Sequence, residues 1–440
     1  MLLEFYKHIM KKICFSCMVF ILIVHASFSQ KTTCTTQYLP VVMVHGFLGG
    51  GDNWTSLYQD LISNGFCREQ VYVFDWNSTS GNNTAQVPLL DSFIQTVLAK
   101  HQVKQVHLIG HSAGGGLSYA YCSDKSRAAK IARYVHIGSS KMKNTVGQGK
   151  IPMLNIYSKD DMVVKSGGDI DDAINLGFEK MDHFEIITHS QTARAVVEFL
   201  RNTETDLSRL PPIETIPYHK NLHISGKAVT FGDNKPLVGA TIEIYAIRTN
   251  TGQRISKKAD AKFVSDEKGN WGTFKAKPFN SYELVLRPSD TSMRTIYYYR
   301  DIFIAENPLV YLRALPKSGL PALLLGNLPK KEDQAVLAIF SGSKAMIHGR
   351  DSVTVDNRTL TTAELSPASK TAIAHFLYDN GDQKTSGAAH AAFGSTPFLA
   401  ASDQSFPAKP SKPIQVYFNT RKLAIPNRSS RDGLMVVIFD

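Results

Sequence analysis

Short apolar runs alternate with longer amphipathic segments from Tyr38 to about Arg201. The apolar runs are LPVVMVHG, QVYVFDW, KQVHLIGH, ARYVHIGS and IPMLNIYS, and most are rich in valine and isoleucine. The segments between them, such as WTSLYQDLISNGF and LLDSFIQTVLAKH, have the apolar spacing of helices. Nearly continuous apolar strands are typical of a parallel sheet that helices cover on both faces. The pattern therefore predicts an α/β domain over residues 30–202, with a doubly wound, mostly parallel sheet and AVVEFL in its last helix.

The pattern of apolar and polar residues changes after residue 202. Strands of alternating polarity take over, as in ATIEIYAI, SYELVLRP and TIYYYRDIFI, and DEKGN and FGDNKP supply turns between them. These features predict an all-β C-terminal region, sandwich-like or barrel-like in form. Within it, the spacing of SGKAVTF, PLVGATIEIYAI, FVSDEKGNWGTF and YELVLR resembles the small β-sandwich of carboxypeptidase-regulatory-like and transthyretin-like modules, which we assign to residues 203–316.

A second boundary is expected around Pro316–Pro329, so residues 317–440 form a further β-rich segment. It contains the strand patterns QAVLAIF, PIQVYFN and LMVVIFD, and one predicted helix, PASKTAIAHFLYDNG. The pattern is compatible with two separate β domains or with one continuous unit, and this alternative stays open.

The first 29 residues have the composition of a signal peptide. Lys7, Lys11 and Lys12 precede the apolar run ICFSCMVFILIVHA, and small residues follow it, so cleavage is expected after Ser29. The run is shorter than the ~20 residues that a membrane-spanning helix needs. The sequence therefore predicts a protein secreted to the periplasm or the exterior, without a transmembrane segment in the mature chain.

Cysteine usage and charge restrict the remaining possibilities. Cys34, Cys67 and Cys122 would remain after cleavage, which allows one disulfide and one free thiol without fixing the pair. No Cys/His cluster has the spacing of a structural zinc site. The net charge is +11, and residues 203–440 hold 30 basic and 22 acidic residues without a long basic block. This distribution fits a solubilising surface or a patch for anionic surfaces better than it fits nucleic-acid binding.

The stretch HLIGHSAGGGLSYAY contains the first candidate catalytic residue. Gly110-His111-Ser112-Ala113-Gly114 follows a predicted buried strand and precedes a predicted helix. In a G-x-S-x-G turn the glycines avoid collisions around a strained serine, whose oxygen is raised above the sheet. Because the strand and the helix flank it as this motif requires, Ser112 is predicted to be a nucleophile.

A serine nucleophile needs a base, and in this kind of turn the order along the chain is serine, acid, histidine. The strand IPMLNIYS is followed by Asp160 and Asp161, and either carboxylate fits the position of the acid. His183 lies in a predicted loop after a strand-like segment and is the favoured base. His189 lies near the start of the last helix, where a capping or surface role is expected.

An oxyanion hole is the third requirement, and it uses backbone N–H groups. The loop HGFLGGG directly follows the strand PVVMV, so Phe47 is predicted to supply one N–H and Ala113 the other. A phosphate-binding loop is the alternative for HGFLGGG, but the sequence lacks the GK[ST] and G-x-G-x-x-G patterns.

Together these stretches resemble the small secreted lipases of Bacillus within the α/β-hydrolase superfamily. The resemblance covers residues 38–201 and lies in PVVMVHGFLGG, QVYVFDW, VHLIGHSAGG and IYSKDDMVV. It implies that Asp161, which precedes Met162, is the catalytic acid and that His183 is the base. The appended β region is a departure from those one-domain enzymes and is similar to the layout of two-domain lipases.

The predicted function is hydrolysis of medium- to long-chain acyl esters, with an ester lipid at an emulsion or membrane surface as partner and no metal or organic cofactor. A polyester depolymerase or a polysaccharide de-esterase would use the same residues. A non-catalytic surface-binding protein is an alternative of another class. The β region is expected either to capture substrate or to cover an apolar face of the α/β domain.

Overall fold

The computed structural model of the protein describes residues 38–202, 222–409 and 411–440. The predicted signal peptide, its cleavage point and Cys34 lie outside the described residues. Across the described ranges, no helix is long and apolar enough to cross a membrane.

Six parallel strands form the sheet of the first half of the chain. They are β1 Val41–Val44, β2 Val71–Phe74, β3 Val106–His111, β4 Ile131–Ile137, β5 Met153–Ser158 and β6 Ile174–Phe178, in the order β2-β1-β3-β4-β5-β6. The strand that leads to Ser112, β3, is therefore an inner strand of the sheet.

Both faces of this sheet are covered, as its apolar strands predict. The helices are α1 Thr55–Ser63, α2 Val87–His101, α3 Ala113–Cys122, α4 Lys125–Ala128, α5 Glu185–Thr188 and α6 Ser190–Arg201. Val41 and Met43 pack into a core with residues of α1 and α6, whereas Val42 and Val44 pack into another core with residues of α2 and α3. Successive side chains of a strand point to opposite faces, so one short strand contributes to two cores.

The described residues of the second half of the chain form three β-sheets and one short α-helix, α7 Leu320–Leu325. A three-stranded sheet has the order β10-β7-β13, with β7 Leu222–Thr230, β10 Asn270–Ala276 and β13 Asn307–Ala314. An eight-stranded sheet has the order β18-β17-β14-β21-β12-β11-β8-β9, with β8 Thr241–Ile247, β9 Ala261–Val264, β11 Ser281–Arg287, β12 Ile296–Arg300, β14 Leu337–Ser341, β17 Ala374–Tyr378, β18 Leu399–Asp403 and β21 Leu434–Phe439. A four-stranded sheet has the order β16-β15-β19-β20, with β15 Val353–Val355, β16 Arg358–Thr359, β19 Ile414–Phe418 and β20 Arg421–Ile425.

The eight-stranded sheet lies between two cores. Ile242 and Ile244 of β8 pack with residues of the three-stranded sheet, whereas Tyr245 and Ile247 pack with residues of the four-stranded sheet. This is a layered arrangement of open sheets, and none of the sheets formed by the described residues closes into a barrel. The predicted fold class, an α/β-hydrolase-type domain followed by an all-β region, is confirmed.

Strands from both sides of the expected boundary near residue 317 share the eight-stranded sheet. β12 pairs in parallel with β21, and β21 in turn pairs with β14. The described residues from Tyr38 onward also form a single compact unit. Backbone hydrogen bonds of β21 to β12 and to β14 therefore join the parts of the β region before and after residue 317 in one sheet.

One predicted helix is wrong. The segment PASKTAIAHFLYDNG contains a short 3₁₀ turn at Ala368–Lys370 and the strand β17, which lies between β14 and β18. Its apolar run has neighbouring strands on both edges and cores on both faces, an environment that favours a strand whatever the local helical spacing.

The two cysteines of the described residues differ in state, as the predicted disulfide and free thiol allow. Cys67 is disulfide-bonded, whereas Cys122, the last residue of α3, is a free thiol buried in the core that α3 shares with α2.

Candidate active site

Ser112 lies on a strained turn between β3 and α3. Its backbone has φ 53° and ψ −124°, a conformation that non-glycine residues rarely adopt. A Cβ on Gly110 would come within 2.8 Å of the carbonyl oxygen of Gly114, and a Cβ on Gly114 would come within 2.3 Å of the carbonyl oxygen of Val44. Both positions therefore need glycine, because the strand, the turn and the helix approach each other so closely.

A continuous line of hydrogen bonds joins the three residues predicted as a triad. Ser112 Oγ lies 2.9 Å from His183 Nε2, and His183 Nδ1 lies 2.6 Å from Asp161 Oδ2. A neutral imidazole that donates from Nδ1 to a carboxylate accepts at Nε2, which is the state that a general base requires. The arrangement can therefore take a proton from Ser112.

The carboxylate of Asp161 is buried and held from two sides. Its Oδ1 atom accepts hydrogen bonds from the N–H groups of Val163 and Val164 at 2.8 and 2.9 Å. Burial by itself raises the pKa of Asp161, but the hydrogen bond from His183 and those from the two amides outweigh it and lower the pKa below its ordinary value. Asp161 thus stays ionised and can orient the imidazole.

The alternative acid and base lie elsewhere. Asp160 is exposed, and its Oδ2 atom accepts a hydrogen bond from the N–H of Lys180 at 2.6 Å. His189 precedes α6, and its Nδ1 atom accepts a hydrogen bond from the N–H of Gln191 at 3.2 Å, which is a capping role. The structure brings Ser112, Asp161 and His183 together and leaves Asp160 and His189 apart from them.

Two backbone N–H groups near Ser112 are available to a negative charge. The loop after β1 approaches the serine so closely that a Cβ on Gly46 would lie 3.0 Å from the Cβ of Ser112. Neither the N–H of Phe47 nor that of Ala113 donates a hydrogen bond within the described part of the chain, whereas the N–H of Leu48 donates to Ser78 Oγ at 2.9 Å. Ala113 also begins α3, where N–H groups have no partner within the helix.

Sequence reasoning missed a role for His111, which lies between Gly110 and Ser112. Its Nε2 atom donates a hydrogen bond to the carbonyl oxygen of His183 at 3.0 Å. Burial lowers the pKa of His111 to about 3, with a smaller contribution from His183, so the ring is neutral. The residue beside the nucleophile thus supports the backbone of the candidate base.

Family models match three parts of the chain. A model for the alpha/beta hydrolase fold matches residues 40–160, and a model for a lipase C-terminal domain matches residues 220–315. The chain thus has an α/β-hydrolase fold followed by a region similar to the C-terminal domain of lipases. A further model for a C-terminal domain matches residues 340–440 of this chain. The resemblance stated from the sequence, to lipase-type α/β hydrolases with an appended C-terminal region, is confirmed.

Solved structures of lipases resemble part of this chain at low identity. The mature lipase BlEst2 of Bacillus licheniformis is 14% identical, with a TM-score of 0.33, and the match covers 38% of this chain and 93% of that one. The monoacylglycerol lipase of Paleococcus ferrophilus is 17% identical, with a TM-score of 0.30, and the match covers 38% of this chain and 96% of that one.

The β region packs against the loop that contains Phe47 and donates a hydrogen bond to it. Leu48 is buried in the core of the β region, and the side chain of Phe47 packs against the same core. Asn234 donates from Nδ2 to the carbonyl oxygen of Gly49 at 2.8 Å. These contacts with the β region therefore hold the loop that follows β1 in place.

A charged pair extends this contact into the 3₁₀ turn Gly51–Trp54. Both Nη atoms of Arg313 donate to the carboxylate of Asp52, at 2.5 and 2.6 Å, so the pair is bidentate. Next to it, Asp75 accepts from the N–H of Gly51 at 2.9 Å and from Tyr311 Oη at 2.7 Å. Such planar, charge-assisted pairs fix geometry as well as contributing energy.

These contacts favour the interpretation that the β region covers an apolar face. A protein that ends at Arg201 is expected to aggregate and to lose activity on soluble butyrate esters and on long-chain esters alike, because Leu48 and the Asp52 carboxylate lose their partners. The test compares the truncated and the full-length protein in soluble yield and in kcat/KM on p-nitrophenyl butyrate and p-nitrophenyl palmitate. Full activity on butyrate alone would support substrate capture instead.

An apolar cavity of about 140 Å³ lies between the α/β domain and the β region. The α/β domain contributes Leu48 and Phe184, which directly follow Phe47 and His183 in the sequence, and a polar edge formed by Asp52, Asn53, Thr55 and Ser56. The apolar wall from the β region consists mainly of Phe231, Leu315, Leu325, Phe340, Ile373 and Phe376. The cavity thus lies beside the two loops that carry the candidate oxyanion donor and the candidate base.

Proposed function

We propose that the protein is a secreted serine carboxylic-ester hydrolase that acts on medium- to long-chain acyl esters. The observation that carries this proposal is the hydrogen-bonded line from Ser112 through His183 to Asp161, at 2.9 and 2.6 Å. A non-catalytic surface-binding role would not require a strained serine, an imidazole and a buried carboxylate joined in this order by hydrogen bonds.

Acylation begins when Ser112 Oγ attacks the ester carbonyl carbon while His183 Nε2 takes the hydroxyl proton. Asp161 stabilises the imidazolium, and the N–H groups of Phe47 and Ala113 donate to the oxygen that becomes negative. Collapse of this tetrahedral intermediate breaks the bond to the alcohol oxygen, and the alcohol leaves with the proton from His183. Water then attacks the acyl-enzyme by the same route and releases the carboxylic acid and free Ser112.

The cavity beside Leu48 and Phe184 supports an acyl group as the part of the substrate that is bound. An apolar cavity of ~150 Å³ in a protein core is large enough to hold a benzene molecule. The aromatic and aliphatic part of this cavity of about 140 Å³ can therefore hold the distal carbons of an acyl chain.

Turnover of a graded ester panel tests the proposal. We expect p-nitrophenyl esters from C2 to C16 to be hydrolysed, with kcat/KM highest above C4, and polyhydroxybutyrate and acetylated xylan to be poor substrates. Ser112→Ala is the control for background hydrolysis. A preference for either polymer over every soluble ester would favour the depolymerase or de-esterase function.

Filling the cavity is expected to shorten the preferred acyl chain. Phe340 is partly buried and lines the cavity, so Phe340→Trp places extra volume there. We expect kcat/KM for a C12 ester to fall about tenfold relative to a C4 ester, since a methylene in an apolar pocket is worth ~1–3 kcal/mol. The control is Phe263→Trp, a partly buried phenylalanine of β9 that does not line this cavity. An equal loss for both chain lengths would contradict the assignment of the cavity.

A further inference from the structure

The loop between β6 and α5, residues 179–184, carries His183 and is held partly by distant residues of the β region. Within the α/β domain, His111 supports the carbonyl oxygen of His183, and Ser158 Oγ donates to the carbonyl oxygen of Met181 at 2.7 Å. Other contacts of this loop involve segments that follow it by more than 150 residues.

Asp182, the residue before His183, is the centre of one such contact. Its Oδ1 atom accepts from the N–H groups of Phe184 and Glu185, each at 2.8 Å, and so fixes the start of α5. Its Oδ2 atom accepts from the N–H of Ala345 at 3.0 Å and from Arg350 Nη2 at 2.8 Å. The side chain of Asp182 is only 4% exposed, so these donors take the place of water around its carboxylate.

Arg350 connects this carboxylate to two others. Its Nη1 atom lies 2.9 Å from Glu185 Oε2, and its Nε atom lies 2.8 Å from Asp351 Oδ2. Asp351 is fully buried and is itself held by Lys344 Nζ at 2.6 Å. A planar guanidinium that donates in three directions to fixed carboxylates has one preferred orientation. Arg350 therefore fixes both ends of the short segment that contains His183.

Phe398 contacts the candidate base directly. Its ring is stacked on the imidazole of His183, with ring centroids 5.7 Å apart and planes inclined by 17°. The backbone of Phe398 has φ 69°, which is strained for a large residue without a glycine's freedom. The strain is imposed by hydrogen bonds that bind its N–H to Lys370 and its carbonyl oxygen to Ile373, at 3.0 and 2.9 Å.

From this geometry we infer that Arg350 and Phe398 are positioning residues that hold His183 within hydrogen-bonding distance of Ser112. The inference rests on the proposed function and extends it to the last hundred residues of the chain. Arg350 restrains the backbone on either side of His183, and Phe398 restrains the plane of its ring. Because a displacement of about 1 Å at a reacting group costs ~10²-fold in rate, loosening either contact is expected to act on kcat.

Arg350→Ala tests the first contact. We expect kcat on p-nitrophenyl butyrate, normalised to active sites titrated with a fluorophosphonate, to fall about 10- to 100-fold with KM little changed. Arg350→Lys keeps the charge but not the three-way geometry, so an intermediate loss is expected. The control is Arg421→Ala, because Arg421 is 32% exposed, against 29% for Arg350, and its ion pair with Asp301 lies within the β region.

Phe398 is tested by a conservative pair. Phe398→Leu keeps an apolar side chain but removes the ring, and kcat is expected to fall about tenfold, whereas Phe398→Tyr is expected to stay within about threefold of the wild type. Melting temperatures of all variants are measured beside the kinetics. Lower melting temperatures in Arg350→Ala and Phe398→Leu, with kcat per active site equal to that of Arg421→Ala, would overturn the inference.

A readout that does not need turnover separates this inference from the proposed function. The Nδ1 proton that His183 shares with Asp161 is expected to give a downfield proton resonance, identified by its loss in Asp161→Asn. Arg350→Ala should broaden or shift this resonance, and Arg421→Ala should leave it unchanged. An unchanged resonance in Arg350→Ala would contradict the positioning role. Absence of ester turnover in the wild type would contradict the proposed function alone.

Discussion

Ser112→Ala is expected to lower kcat for ester hydrolysis by ~10⁴-fold or more, because the oxygen that attacks the carbonyl carbon is removed. A 10⁴-fold loss corresponds to ~5.4 kcal/mol of transition-state stabilisation. The fold is expected to persist, since alanine fills the space of the serine side chain apart from its oxygen. Initial rates on p-nitrophenyl butyrate, with circular dichroism of the variant, measure both effects.

A fluorophosphonate probe gives an independent check on Ser112. Mass spectrometry is expected to find the label on Ser112 of the wild type and on no other residue. Substantial labelling or turnover by Ser112→Ala would assign the nucleophile to another residue. His111→Gln is a useful companion variant, because it removes a ring that supports the His183 loop and leaves Ser112 in place.

Asp161→Asn is expected to lower kcat by ~10³–10⁴-fold. The carboxylate lies 2.6 Å from His183 Nδ1, and an amide there would favour the wrong tautomer and give no counter-charge to the imidazolium. The substitution preserves Oδ1, which accepts from the amides of Val163 and Val164, so the local turn is expected to survive. Steady-state kinetics on the same ester measure the loss.

Asp160→Asn is the matched control for this prediction. It makes the same chemical change one residue earlier, at an exposed carboxylate whose partner is the N–H of Lys180. Its kcat is expected to stay within about tenfold of the wild type, because it does not contact the imidazole. The reverse ranking of the two variants would identify Asp160 as the acid.

The β region contacts both loops of the candidate site. Asn234 and Arg313 hold the loop that contains Phe47, and Arg350 and Phe398 hold the loop that contains His183. An appended region that touches the site in this way affects every substrate, not only those at a lipid surface. A β region that supports the site is expected to affect short soluble esters as well as long-chain esters, whereas a region that only captures substrate is expected to affect long-chain esters alone. Short soluble esters therefore distinguish the two roles.

The amino-acid sequence determined the elements whose chemistry is local. Gly110 and Gly114 predict a tight turn around Ser112 because a side chain at either position would collide with neighbouring backbone. The apolar runs predict buried parallel strands because both of their faces are covered. The position of His189 near the start of the last helix predicts a capping or surface role, and in the structure it caps that helix.

Residue spacing alone left Asp160 and Asp161 open, and the resemblance to Bacillus lipases favoured Asp161. The tertiary structure places the Asp161 carboxylate against His183 and that of Asp160 against the N–H of Lys180, because adjacent side chains on a loop point in different directions. It also decided that the apolar run in β17 is a strand, because neighbouring strands and cores outweigh local helical spacing. Arg350 and Phe398 belong to no motif, and their contacts with Asp182 and His183 span 168 and 215 residues, a separation that no sequence periodicity encodes. Local turn chemistry thus predicts the candidate nucleophile, whereas long-range packing positions the candidate base beside it.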